Sequence, residues 1–265
     1  MKTKFSRGFS VIELMAVVGM ITMLVVFLVP GLNSVGKSRE AAAAAMEIAG
    51  LLEQARAYAM AKNTYVWVGF AEEDGAQPSR QPMASGGGRV VVSVVASRNG
   101  ERYVDDGLTP ANFSSGSQVV PLEQINRLVR FPGVRLTSAN TGSASGNTPV
   151  RPGVAAEYQI GDSPESLPQN DSGLFAASGG NTLSFSFPLS GTPQYRFRKI
   201  IEFNPRGEAS KAGEFTLAGP GAPDRMEIAL ALAPGGQVAS PFLQAGSATA
   251  AVQVDGLSGN VRTYR

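Results

Sequence analysis

The stretch Arg7-Gly8-Phe9-Ser10-Val11-Ile12-Glu13-Leu14 constrains this chain more than any other. A short basic leader precedes it, with Lys2, Lys4 and Arg7 and no acid. An apolar run follows as far as Leu32, interrupted mainly by Ser10, Glu13, Thr22 and Pro30. As a helix, Phe9 to Leu32 would extend ~36 Å, against a hydrocarbon core of ~30 Å. The run therefore predicts a single membrane span. By the positive-inside rule the leader stays cytoplasmic and everything after Pro30 is exported. Glu13 is the one carboxylate in the run. A charge at the bilayer centre costs roughly 2.5–3.5 kcal/mol, so an ionisable residue in such a run marks a candidate functional site.

These residues resemble a type IV prepilin signal: a basic leader ending in Gly8, then Phe9, a glutamate at the fifth position after the glycine, and an apolar helix. Pro30 falls where major type IV pilins often carry a helix-kinking proline. The resemblance implies cleavage after Gly8, N-methylation of Phe9, and an assembly role for Glu13 through the N-terminal ammonium of a neighbouring subunit. The partners it implies are a prepilin peptidase/methyltransferase, other pilin or pseudopilin subunits, an inner-membrane assembly platform, and membrane lipid before assembly. Two plainer readings exist. An ordinary signal anchor containing one Glu fits the pattern less specifically. A cleaved secretory signal usually has only ~7–15 apolar residues and an A-x-A site, and neither holds here.

The 265 residues allow one or two domains. The formal charge of +2 includes the three cations of the leader, so a basic pI gives no support to nucleic-acid binding by the rest of the chain. There is no Cys and no His. That excludes disulfides, thiolate nucleophiles, a Ser-His-Asp triad and HExxH metal sites. No cofactor and no enzymatic activity are expected. The 31 Gly and 17 Pro suit a β-rich domain with long turns.

Pro30-Gly31 predicts a kink or short break, after which Ser38 to Lys62 resumes as helix. Ala41, Ala45, Ile48, Leu52, Ala55 and Ala59 recur at three- and four-residue spacing, the stripe that would pack on a head. Strand patterns follow at Thr64–Phe70, Arg89–Ser97, Val129–Leu136, Tyr158–Gly161, Thr182–Phe187, Phe197–Phe203, Met226–Leu232, Ala248–Val254 and Val261–Tyr264. Glu72 to Gly88, Ser138 to Asn147 and Glu165 to Gly180 read as loops. Asn99-Gly100 is a tight-turn signal. The fold class expected is α+β: a long N-terminal helix, half membrane-spanning and half amphipathic, packed on an antiparallel β-rich globular head. The divisions are 1–8 leader, 9–32 membrane or filament-core helix, 33–63 amphipathic continuation and 64–265 periplasmic head.

Ala55-Arg56-Ala57-Tyr58-Ala59 before a Val-rich strand resembles GspH/FimT-like minor pseudopilins. So do Ile201-Glu-Phe-Asn-Pro-Arg-Gly207 and the terminal Asp255-Gly-Leu-Ser-Gly-Asn-Val-Arg262. Ala55 to Phe70 also resembles the prepilin-type proteins of the Verru_Chthon cassette, protein D. The segment from about Glu72 to Thr182 fits these patterns poorly.

Other motifs weigh less. Gly31-Leu-Asn-Ser-Val-Gly36-Lys37-Ser38 matches the P-loop pattern, which makes nucleotide binding the enzyme-class alternative. The apolar run before it is too long for one strand, and βαβ alternation is missing. Glu72-Glu73-Asp74 and Asp105-Asp106 read as solvated loop charges rather than calcium ligands, and Gly86 to Gly88 as a turn. Arg196, Arg198 and Lys199 read as a solvated strand face. Arg262 and Arg265 are the candidate contacts if the head binds DNA, as some FimT-like pilins do. Trp67 is expected in the core. The function expected is a structural subunit of a type IV pilus or type II secretion pseudopilus. The binding-class alternative is a minor pilin whose head binds DNA or another ligand.

Overall fold

From Val11 to Lys62 the backbone of the computed structural model is one α-helix, α1, of 52 residues. The structure describes residues 11–80, 87–102, 121–137, 150–155, 158–160, 185–211, 224–233 and 250–265, and along residues 25–39 it describes the helical backbone alone. Two units divide the chain, Met1–Arg39 and Glu40–Arg265. The helix continues through Pro30, so the short break allowed by Pro30-Gly31 does not occur. It ends at Asn63, whose left-handed backbone (φ 51°) caps the last turn, and the Thr64 amide donates back to the Ala59 carbonyl at 3.0 Å.

Within the second unit the strands form two main sheets. The first holds β1 (Val66–Asp74), β2 (Gly88–Ser97), β3 (Leu122–Gln124), β4 (Val129–Pro132), β9 (Lys199–Phe203) and β10 (Ala209–Lys211), in the order β10-β9-β1-β2-β3 with β4 also on β2. The second holds β5 (Val134–Thr137), β6 (Gln159–Ile160), β11 (Arg225–Leu232), β12 (Ala250–Asp255) and β13 (Val261–Tyr264), in the order β13-β12-β11-β5 with β6 on β11. A hairpin of β7 (Phe185–Phe187) and β8 (Tyr195–Phe197) stands apart as a third pair.

The period-2 alternation of β1 and β2 decides which side chains meet the helix. Val66, Val68 and Phe70 of β1 and Val90, Val92 and Val94 of β2 share a core with Ala41, Ala45, Ile48, Leu52, Ala55 and Ala59 of α1. The predicted helical stripe is thus buried. Met226, Ile228, Leu230, Val252 and Val254 close the same core from the second sheet. Trp67, Ala71, Val91, Val95 and Ile200 face the other way, under Phe185, Tyr195 and Phe197 of the hairpin. Gly69 makes room for that hairpin: a Cβ there would stand 2.6 Å from the Phe185 ring and 2.6 Å from Phe197 Cβ.

The sheets join at two places. After β4 the chain turns at Gly133 and leaves β2 for β11, and the Gly133 amide donates to the Gly88 carbonyl at 2.9 Å. On the other side the Ala209 amide donates to the Gly256 carbonyl at 2.9 Å.

The expected fold class needs correction. The protein is β-rich with two main sheets, and among the described side chains of α1 those from Ala41 onward enter their core. The sheets are not wholly antiparallel, since β6 runs parallel to β11. The expected membrane-spanning half is not found either: among the described residues no helix is long and apolar enough to cross a membrane. The expected single-pass inner-membrane location with a periplasmic head is overturned on the same ground, as is the description of this chain as a transmembrane protein. The strand pattern needs correction in places: β3 and β10 were not foreseen, the single strand expected over Val129–Leu136 is β4 and β5 in different sheets, that expected over Phe197–Phe203 is split between β8 and β9, and Glu72 to Asp74 continue β1 instead of opening a loop. The predicted loops at Ser138–Asn147 and Glu165–Gly180 lie outside the described residues.

Candidate functional site: an apolar helix and the polar ties of the head

The first turns of α1 carry large apolar side chains on every side. Val11, Ile12, Leu14, Met15, Val17, Val18, Met20, Ile21, Met23 and Leu24 are each between 47% and 76% exposed. Successive residues step about 100° around a helix, so these side chains leave no polar face. Glu13, in the first turn, is exposed among them. Gly8 and Phe9, the predicted processing site, lie outside the described residues. At Pro30 only the helical backbone is described.

The P-loop alternative fails on backbone geometry. Such a loop needs irregular backbone whose N–H groups converge on a phosphate. Gly31 to Ser38 are helical throughout, so those groups are engaged along the helix. Among the described residues no group of three or more acidic, His or Cys side chains is placed to hold a metal ion.

In the head, two expected surface charges turn out to be interior. Glu73 on β1 is 1% exposed and accepts hydrogen bonds from Ser79 Oγ at 2.6 Å, Arg89 Nη1 at 2.9 Å and Tyr195 Oη at 2.9 Å. Arg130 stacks on the Tyr195 ring, its guanidinium carbon 5.6 Å from the centroid. Burial pushes the Glu73 carboxyl up, but the hydrogen bonds and the Arg89 charge outweigh it and hold the group below the usual 4.5. Lys199, expected on a solvated face, is buried at 2%. Arg198 is half-buried and only Arg196 is exposed. The signal missed for Glu73 is long-range: Tyr195 lies 122 residues from the carboxylate it binds.

A pH dependence follows. A depressed carboxyl pKa contributes stability that is fully present above the unfolded value and is lost as pH falls through the folded one. The parent chain should therefore lose its advantage over a Glu73→Gln variant as pH drops below about 4.5. Urea unfolding at pH 7 and pH 3 measures this, and an equal advantage at both would exclude the effect.

Two further polar ties hold the head together. Glu202 (0% exposed) receives Arg102 Nε at 2.6 Å and Trp67 Nε1 at 3.3 Å. Glu227 (0% exposed) is gripped by Arg151 through Nε at 2.7 Å and Nη2 at 2.9 Å, with Gln253 Nε2 at 2.7 Å. At the far end of the chain Asp255 Oδ1 accepts from the Ser258 amide at 2.8 Å and its hydroxyl at 2.7 Å. Burial raises the Asp255 carboxyl, but those bonds and Arg225 leave it lowered overall. Arg262 on β13 and Arg265 beyond it are exposed. Among the described residues β13 pairs only with β12.

Compared with family models, with curated proteins and with solved structures, the chain matches none.

Proposed function

We propose that the chain is a non-enzymatic structural subunit of the prepilin and pseudopilin type, cut after Gly8, methylated on Phe9 and assembled into a type IV pilus or type II secretion pseudopilus. The observation that carries this reading is the exposed apolar surface from Val11 to Leu24. Each such side chain gains about 1.5–3 kcal/mol on full burial. A partner lying along one stripe would leave the rest in water, whereas a bundle of copies covers all sides. Glu13 supports the same reading. In a dehydrated bundle its carboxylate needs a cation, and the Phe9 ammonium of a neighbour would supply one. The pair would set axial register more than it adds stability. The partners are then the peptidase/methyltransferase, an assembly platform and other subunits.

Intact-mass analysis of the chain recovered from host cells tests processing. A start at Phe9 with one added methyl is expected. A start at Met1 in a host with an active prepilin peptidase would remove the basis for this function. Glu13→Gln should leave cleavage unchanged and lower incorporation into sheared filaments roughly tenfold, through loss of the charged pair. Normal incorporation would refute the role given to Glu13.

A second reading, a head that contacts DNA, draws on Arg262 and Arg265, both exposed at the edge of the second sheet. Salt-sensitive binding lost in the Arg262→Ala, Arg265→Ala double variant would favour it.

A further inference from the structure

The strand β2 runs out at Ser97 into Arg98-Asn99-Gly100-Glu101, where Asn99 is exposed and Gly100 half-buried. The Asn99 side-chain amide is held at both ends. Its Oδ1 accepts from Ser97 Oγ at 2.7 Å and from the Glu101 amide at 3.2 Å. Its Nδ2 donates to Glu101 Oε2 at 2.6 Å. Ser97 itself is buried at 3%, so its hydroxyl is a fixed donor and not a wandering one.

We infer that this turn is a self-modification site, at which the folded protein promotes conversion of Asn99 to aspartate or isoaspartate through a cyclic imide. The chemistry needs four things, and the turn supplies three. The nucleophile is the Gly100 amide nitrogen, next in the chain, with no side chain on its own residue to obstruct ring closure. The electrophile is Asn99 Cγ, whose carbonyl oxygen already faces two N–H or O–H donors. Donors aimed at the oxygen where negative charge develops act as an oxyanion hole. The orientation is set by the Glu101 carboxylate, which fixes the nitrogen end of the amide and so keeps Oδ1 on the donors. The fourth need, a base, is met by solvent hydroxide, to which exposed Asn99 is open.

The steps balance as follows. Hydroxide removes the Gly100 amide proton to give water. The nitrogen attacks Asn99 Cγ, forming the N–Cγ bond, and the carbonyl pair moves onto Oδ1, where Ser97 Oγ–H and the Glu101 N–H hold it. Collapse of that oxyanion breaks the Cγ–Nδ2 bond. Nδ2 leaves as ammonia, taking a proton from water and regenerating hydroxide. Water then opens the imide at either carbonyl. The product carries a new carboxylate beside Glu101, and the Nδ2 bond to Glu101 is gone. The turn also touches the helix cap, since a Cβ on Gly100 would lie 3.7 Å from the Asn63 carbonyl. The modification therefore places its charge where α1 hands over to the first sheet.

The test compares the full chain folded in buffer at mildly alkaline pH with the same chain held unfolded in urea. Conversion at position 99 is followed by peptide mass spectrometry with separation of the two products. The folded chain should convert about fivefold faster or more, as expected for positioned oxyanion donors. Ser97→Ala, checked for native circular dichroism, should lose most of that acceleration while the unfolded rates stay equal. Glu101→Gln should change the folded rate and leave the unfolded rate alone. A folded rate equal to or below the unfolded one would overturn the inference, as would an unchanged folded rate in Ser97→Ala.

Discussion

Arg151→Ala is expected to destabilise the head by about 3–5 kcal/mol, the range seen when one partner of a buried ion pair is removed. The reason is what stays behind. Glu227 is 0% exposed and Arg151 supplies two of its hydrogen bonds, at 2.7 and 2.9 Å. Gln253 Nε2 alone, also engaged by the Pro152 carbonyl at 2.8 Å, does not neutralise a carboxylate. Changing both partners to apolar residues of similar size, Arg151→Met with Glu227→Leu, should recover most of the loss, because no charge is then stranded. Urea unfolding of the full chain, of Arg151→Ala and of the double variant measures both effects. A cost for Arg151→Ala below about 1 kcal/mol would mean that the pair is screened by water. The tie spans 76 residues and pins the segment before β6 to β11, so its loss should also expose that segment to proteases.

Gly259→Ala should be the most damaging small substitution in the terminal hairpin. Gly259 has φ +64°, a conformation that costs an alanine about 1–2 kcal/mol. An added Cβ would also run into the backbone carbonyl oxygen of Gly207, with Arg56 Cδ only 3.0 Å away. Neither neighbour can withdraw easily. Gly207 closes its own turn through its amide to the Asn204 carbonyl at 2.9 Å, and its carbonyl accepts from Arg56 Nε at 3.3 Å. Two turns and the helix therefore meet at one point, where the two sheets join through Ala209 and Gly256. Strain plus overpacking predicts about 2–4 kcal/mol in all. Gly191→Ala is the control. Gly191 has φ +88°, but a Cβ there meets nothing within 4 Å, so it shares the strain without the clash. Thermal unfolding should rank Gly259→Ala well below Gly191→Ala, and equal losses would show that the turns are not interlocked.

Much of this architecture was legible from local pattern. The stripe Ala41, Ala45, Ile48, Leu52, Ala55, Ala59 is 0–1% exposed throughout. The β-branched runs of β1 and β2 pair antiparallel, from Val66 opposite Ala96 to Asp74 opposite Gly88. Asn204-Pro-Arg-Gly207 turns the chain after β9 as its composition predicts, with Asn204 Oδ1 accepting from the Arg206 and Glu208 amides. Trp67 is fully buried. The apolar run near the N-terminus was read as a membrane span, and there local pattern misled: an apolar helix needs cover of some kind, and its hydropathy does not say which.

Local sequence determined, by itself, where helix and strands form, which faces are apolar and where the chain turns, because each of these rests on residues within a few positions of one another. Only the tertiary structure decided which charges are interior. Glu73, Glu202 and Glu227 look alike in sequence to solvated acids. They are buried because Tyr195, Arg102 and Arg151, each 76 to 122 residues away, reach them across strands and sheets. A carboxylate leaves water only when its partners are already in place, and those partners are assembled by the fold.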